Sequence, residues 1–319
     1  CPLFALAPDF PPGVFPGRLK GTRMDRTRAT AIGFSAVILW SLLAVLTVAT
    51  VPVPPFLLTA MTFAIGGAVG LVWLALGDGL ARLRGVPFSA YAFGTAGLFG
   101  YHFLYFTALR MAPPAEAGLI CYLWPLFIVL GSGLMPGEAL SRLHVLGALL
   151  AFGGAALIVA GGVSAVSGAV AGYGVALAAA VTWALYSLGS RRMNAVPTGA
   201  VAVYCLATAI LSALAHLALE TPAWPVDATG WLAVMALGLG PVGLAFYTWD
   251  VGVKIGDIQL LGTASYAAPL LSTLALVAAG MAGASVTLAA AAVLITSGAA
   301  LAARAGAKIT RPRGARSLP

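Results

Sequence analysis

"ICYLWPLF", residues 120–127, sets a tyrosine, a tryptophan and a proline inside an apolar run long enough to cross a membrane. Proline removes a backbone donor and its ring clashes with the preceding turn, so its presence there needs a reason. A near-copy, "ASYAAPLL", stands 144 residues later at 264–271 and pairs Tyr122 with Tyr266 and Pro125 with Pro269. The surrounding chain has to explain why this pattern occurs twice.

The 319 residues are 61% hydrophobic and 8% charged, with a mean hydropathy of +1.00. Soluble domains carry about 25% charged residues. Residues 29–77 contain no Asp, Glu, Lys, Arg or His, 143–190 contain only His144, and 258–303 again contain none. Each stretch is about twice the roughly 20 residues that one helical crossing needs. These features predict an all-α integral membrane protein and argue against a soluble domain. The net charge of +8 sits at span ends and in the tails, which points to orientation in a membrane rather than to nucleic acid. Cys1, Cys121 and Cys205 are scattered, so neither a zinc site nor a disulfide framework is indicated. No metal or other cofactor is expected.

Residues 1–23 are rich in proline and do not begin with Met, whereas Met24 opens a more natural start. They read as a disordered upstream extension or artefact of the sequence, and residues 1–28 together as extension plus cytoplasmic tail. Turn signals then divide the chain into ten crossings, near 29–50, 55–77, 88–110, 115–135, 143–162, 169–190, 198–219, 229–250, 258–279 and 286–304. With both termini in the cytoplasm, the inner segments collect 16 of the 17 Lys and Arg residues and leave only Arg110 outside, as the bias of basic residues toward the cytoplasmic side requires. The expected location is the plasma (inner) membrane, with residues 306–319 as a basic cytoplasmic tail.

The offset of 144 also pairs Gly94 with Gly238, Gly118 with Gly262, Leu126 with Leu270 and Leu130 with Leu274, and "GAAL" at 154–157 recurs unchanged at 298–301. Trp40 meets Trp183 at an offset of 143. A duplication would give two five-helix repeats, 29–162 and 163–305. Five is odd, so the second copy enters from the opposite side, and inverted repeats of this kind build a site near the midplane between them. Pro125 and Pro269 are then the expected hinges, bending the fourth and ninth spans where a cavity tolerates freed backbone.

Polar and aromatic residues away from the membrane interfaces are the candidates for lining that cavity. They are Trp40 in the first span, Tyr101 and His102 in the third, Trp183 and Tyr186 in the sixth, Gln259 and Tyr266 in the ninth, and Tyr122 in the fourth. Tyr122 and Trp124 are two residues apart, about 200° around a helix, so both are not expected to face one cavity equally; the repeat favours Tyr122. Arg110, Glu116, Asp250, Lys254 and Asp257 are expected at span ends, within reach of water and headgroups. The predicted cavity is uncharged and rich in rings and hydroxyls. It suits a small neutral or zwitterionic molecule with an apolar or aromatic side chain, held by stacking and cation–π contact.

With ten spans in two halves, and with "GYHFLYFTALRMAPPAEAGLICYLWPLFIVL" and "AAVTWALYSLGSRR", the chain resembles the drug/metabolite transporter superfamily and its EamA-type repeats over residues 29–305. "YLWPL" and the neutral aromatic cavity look most like YddG-type exporters of aromatic amino acids. "GE" at 137–138 fits the first repeat's usual glycine-glutamate, whereas "MAGASVT" at 281–287 has no acid there. The resemblance implies export of aromatic and other apolar amino acids by a bundle of spans 1, 3, 4, 6, 8 and 9. The expected activity is therefore alternating-access, facilitative export rather than enzyme catalysis. A broader drug or metabolite exporter is the alternative within transporters. An intramembrane enzyme is a remote alternative, because the "GSG" at Ser132 lacks an acid or oxyanion arrangement.

Overall fold

The computed structural model describes residues 24–77, 79–159, 169–278 and 285–310. The extension expected over 1–23, the turn at 161–168, most of the turn after the ninth span and the last nine residues of the tail lie outside the described residues. Among those described, fourteen α-helices and no strand occur. They are α1 (Arg26–Trp40), α2 (Leu43–Ala49), α3 (Pro55–Leu76), α4 (Phe88–Met111), α5 (Pro114–Cys121), α6 (Trp124–Ser132) and α7 (Arg142–Val159). There follow α8 (Val170–Arg192), α9 (Ala200–Leu219), α10 (Ala228–Leu239), α11 (Ala245–Ile255), α12 (Ile258–Ala264), α13 (Ala267–Ala278) and α14 (Val286–Thr310).

Local chemistry sets several of the starts. Asp25, Asp227 and Asp257 each accept a backbone N–H of the first turn of α1, α10 and α12, satisfying a donor that has no partner within the helix. Pro55 and Pro114 open α3 and α5, where a missing N–H does no harm.

Six helical stretches among the described residues are long and apolar enough to cross a bilayer: Arg26–Ala49, Pro55–Leu76, Val170–Arg192, Ala200–Leu219, Ala228–Ile255 and Val286–Ala305. The sequence led us to expect ten. Glu116–Ser132 and Arg142–Leu157 are apolar but shorter. The 24 residues of α4 include Tyr91, Tyr101, His102, Tyr105 and Arg110, which dilute its apolar character.

Four of the expected spans are interrupted. Tyr122–Leu123 separates α5 from α6 and Ser265–Tyr266 separates α12 from α13, each break lying just ahead of Pro125 or Pro269. A π-helical segment, Gly240–Leu244, joins α10 to α11 and contains Pro241. The break at Ser41–Leu42 between α1 and α2 has no proline; there the Ser41 hydroxyl donates to the Ile38 carbonyl at 2.6 Å, a local bond that competes with the helix ladder.

The main helix pairings are α3 with α9, α7 with α14, α4 with α8 and α1 with α11. Small residues permit the closest of them, as in membrane bundles generally. A Cβ added at Gly33 of α1 would stand 2.7 Å from the Gly252 Cα of α11, and one at Gly147 of α7 would stand 2.6 Å from the Gly298 carbonyl oxygen of α14.

Candidate functional site

A cavity of about 470 Å³ lies between these helices. Its floor is built from rings. Trp40 ends α1, Trp124 opens α6, and Trp183 and Phe246 project from α8 and α11. The three indoles meet edge-on: Trp40 to Trp183 at 5.7 Å, Trp40 to Trp124 at 6.2 Å and Trp124 to Trp183 at 6.1 Å. Edge-to-face pairs add about 0.5–1.5 kcal/mol beyond the area they bury. Trp249 sits within ring distance of all three, at 5.1, 5.7 and 6.4 Å. It is fully buried, outside the lining, and its Nε1–H donates to the Ser187 hydroxyl at 3.1 Å. The Trp40 Nε1–H donates to the Pro241 carbonyl at 3.1 Å and so ties the end of α1 to the π-helical segment. Such segments recur at functional sites.

The walls follow from α3, α4 and the broken α5–α6 and α12–α13 pairs. Phe63, Thr59 and Thr62 come from α3, and Tyr101, His102, Tyr105 and Phe106 from α4. Gly118, Cys121 and Tyr122 on one broken pair and Ala268 and Ser272 on the other belong to the lining. The lining then continues to Thr47, Val53, Pro55 and Leu109. No Asp, Glu, Lys or Arg is among the lining residues. The Thr59 and Thr62 hydroxyls donate to Pro55 and Leu58 carbonyls of their own helix. His102 Nδ1 donates to the Leu98 carbonyl at 2.7 Å.

The bundle's two ends carry the charges. At the end reached by Val53, Pro55 and Leu109, Arg110 pairs with Glu220 at 2.5 Å. Glu220 also accepts the Phe56 N–H at 3.0 Å and the Leu57 N–H at 3.2 Å, the free donors at the start of α3, where a helix terminus favours an anion. His216 Nδ1 lies 3.0 Å from the same carboxylate. At the opposite end, Glu138 pairs with Arg191 and, at 3.2 Å, with Arg26; Arg26 also lies 3.4 Å from Asp257. Arg191 donates to the Val253 carbonyl at 2.9 Å and the Gly256 carbonyl at 3.0 Å. Lys254 pairs with Asp250 at 2.8 Å, and Thr198 donates to the same Asp250 oxygen at 2.7 Å. The expectation that Arg110, Glu116, Asp250, Lys254 and Asp257 lie within reach of water holds for Arg110, 42% exposed, and is corrected for Asp250 and Lys254. The Asp250 side chain is 1% exposed and that of Lys254 6%, the two pairing one turn apart on α11, while Glu138, 4% exposed, takes its counter-charges from Arg191 of α8 and Arg26 of α1. Among the described residues, no group of three His, Cys, Asp or Glu could hold a metal.

Of the residues singled out in the sequence, Trp40, Tyr101, His102, Tyr122 and Trp183 are brought together around the cavity. Tyr186, Gln259 and Tyr266 are not. Tyr186 is buried behind Trp183 and stacks on Phe93 at 6.2 Å. Gln259 is buried near the Arg191 end, its Nε2 reaching the Ala139 carbonyl at 3.4 Å. Tyr266 turns to α6 and Phe152. Trp124 was set aside on the 200° argument, yet it lines the cavity along with Tyr122. The reason is the break at Tyr122–Leu123, across which helical geometry does not carry. Phe63 and Phe246 gave no sequence signal, since a phenylalanine in a span resembles any lipid-facing residue. Pro241 was the available signal for the π-helical segment.

The EamA-like transporter family model matches residues 27–160. The chain is 57% identical over 283 residues to the aromatic amino acid exporter YddG of Ancylobacter novellus, covering 88% of this chain and 98% of that protein. It is 26% identical to the exporter of the same name in Salmonella typhimurium, over 78% of this chain and 88% of that one. A protein of known crystal structure, 56% identical, superposes with a TM-score of 0.84 over 88% of this chain and 99% of its own. These relatives are transporters, not enzymes, and the several apolar helices make this a multi-pass membrane protein. With 57% identity along nearly the whole length of one such relative, the chain belongs to the EamA-like transporter family, among its YddG-like members.

Proposed function

We propose that this protein exports aromatic and other apolar amino acids from the cell by facilitative alternating access, with the ring-floored cavity as the substrate site. The observation that carries the reading is the cavity itself: about 470 Å³, walled by indoles, phenols and phenyl rings, and without an ionised side chain among its lining residues. That volume falls in the usual range for small-molecule sites, and the walls suit a flat apolar ring. The names of the YddG relatives agree with this substrate class.

Three observations support ten crossings in two inverted repeats, 29–162 and 163–305. The pairing of α4 with α8 has its image in α11 with α1, while α3–α9 and α7–α14 are each their own image. Within α7–α14, Gly147 approaches Gly298 and Gly154 approaches Ala291; shifting by 144 turns one contact into the other. The α5–α6 and α12–α13 breaks stand at matching places, each ahead of a proline, which supports Pro125 and Pro269 as hinges.

On the orientation that puts both termini inside, the lining extends outward to Val53, Pro55 and Leu109. The cytoplasmic side is sealed beneath Trp249 by buried Val253, Ile258 and Leu261 and by the Glu138–Arg191 pair. On that orientation, we read the arrangement as outward-facing. Export then requires that seal to open while the outer end closes.

A broader drug or metabolite exporter is favoured by one observation: the lining presents no cation to meet an α-carboxylate. Uptake of labelled phenylalanine into proteoliposomes, with a competition panel of amino acids, polyamines and lipophilic cations, separates the two. Competition confined to aromatic and other apolar amino acids supports the first reading; equal competition by lipophilic cations supports the second. In the same assay Trp183→Ala should abolish most uptake while leaving the protein folded.

A further inference from the structure

We propose that His102 sets which aromatic substrates the cavity prefers, by presenting a bare imidazole nitrogen that accepts a hydrogen bond from an N–H or O–H on the substrate's ring. This role rests on the cavity being the substrate site, and it adds a ranking within aromatic substrates: indole and phenol above plain phenyl.

His102 stands mid-way along α4, with Nδ1 at 2.7 Å from the Leu98 carbonyl one turn back. A carbonyl only accepts, so Nδ1 carries the hydrogen. In a neutral imidazole the other nitrogen is then an acceptor and nothing else. The groups packed on the ring are themselves rings: Phe63 at 4.9 Å and edge-on, Tyr101 at 5.2 Å, Phe246 at 6.1 Å and Phe106 at 6.4 Å. No protein group among the described residues bonds Nε2, and His102 belongs to the lining.

Tyr101, Tyr105 and Tyr122 also face this space, but a hydroxyl turns to donate or accept and so discriminates little. The Nε2 lone pair has no such freedom. A substrate that displaces water from it without supplying a donor leaves a buried acceptor unpaired, and that penalty is the physical basis of selection for a hydroxyl or N–H. A phenyl ring incurs the penalty; an indole N–H or a phenol removes it. The substrate's ammonium is the competing donor, but every amino acid carries one, so that contact would give no ranking.

The test compares tryptophan with benzothienylalanine, in which sulfur replaces the indole N–H at nearly the same shape. Both compete against labelled phenylalanine uptake in proteoliposomes of the unaltered protein. Tryptophan should compete about three- to tenfold better, the range a single net hydrogen bond supplies. In His102→Phe the ratio between the two should fall to one, whatever the rate of phenylalanine uptake in that variant. Equal competition in the unaltered protein overturns the proposal, as does an undiminished preference in His102→Phe. If His102→Phe fails to fold, the ligand comparison in the unaltered protein still decides. Failure of the cavity reading is seen separately, as unchanged phenylalanine uptake in Trp183→Ala, and it would take this assignment with it.

Discussion

The Tyr266 hydroxyl accepts a hydrogen bond from the backbone N–H of Leu126 at 3.1 Å. Leu126 is the third residue of α6, which restarts after the break at Tyr122–Leu123. The first N–H groups of any helix lack intrahelical partners, and a break inside a membrane exposes them where no water compensates. A tyrosine of the second half thus satisfies a backbone donor freed in the first. Removing only the hydroxyl, in Tyr266→Phe, should lower stability by about 1–3 kcal/mol, the cost of one orphaned buried donor. Thermal unfolding in detergent measures it. Tyr122→Phe is the control: its hydroxyl bonds no protein group among the described residues, so its unfolding temperature should stay near that of the unaltered protein.

The two arginines that meet Glu138 are unequal. The Arg191 side chain is 16% exposed and also donates to the Val253 and Gly256 carbonyls, whereas the Arg26 side chain is 40% exposed. Breaking a buried pair leaves a charge without compensation and costs about 3–5 kcal/mol; an exposed pair is worth about 1 kcal/mol or less. Arg191→Gln should therefore destabilise far more than Arg26→Gln in the same unfolding assay. A reversed order would mean that Glu138 relies on α1 rather than on α8 at this end.

What the sequence makes legible here is whatever depends on apolar length and on proline. The uncharged stretches mark the helices, and Pro125 and Pro269 mark two of the breaks. The break at Ser41–Leu42 carries no proline and depends on a serine bonding back to Ile38, a choice common serines make without bending a helix. The candidate site was legible where rare residues stood inside spans, as with Trp40, His102 and Trp183. It failed at Trp124, because a regular 100° step was assumed across a point where the helix stops. It missed Phe63 and Phe246, because position rather than residue type separates a cavity wall from a lipid-facing surface. Tyr266 looks like Tyr122 in sequence, yet it bonds backbone instead of facing the cavity. The buried state of Glu138 was equally hidden, because its partner Arg191, 53 residues away, leaves no local trace.

The α7–α14 contact depends on the absence of side chains. A Cβ at Gly147 would fall 2.6 Å from the Gly298 carbonyl oxygen, whereas one at Gly153 on the same helix meets nothing within 4 Å. Gly147→Val should therefore force the helices apart and reduce the yield of folded protein in detergent. Gly153→Ala should match or exceed the unaltered protein, since alanine in a helix is favoured over glycine by about 1 kcal/mol. Equal loss in both variants would show that the sensitivity lies in helix α7 itself rather than in its contact with α14.

Transport should proceed without an imposed ion gradient. Coupling to protons needs a group that changes charge where it meets the substrate, and among the described residues no carboxylate, lysine or arginine lines the cavity. The buried acids lie outside the lining with their charges matched within the protein, Asp250 by Lys254, Glu138 by Arg191 and Glu220 by Arg110. Labelled phenylalanine should equilibrate into proteoliposomes at equal pH on both sides, and a protonophore should leave the rate unchanged. Asp250→Asn should lower stability, by stranding Lys254, without making transport depend on a pH gradient. Should uptake appear only with an imposed gradient, the facilitative reading fails and His102, the one imidazole on the lining, becomes the group to test for coupling.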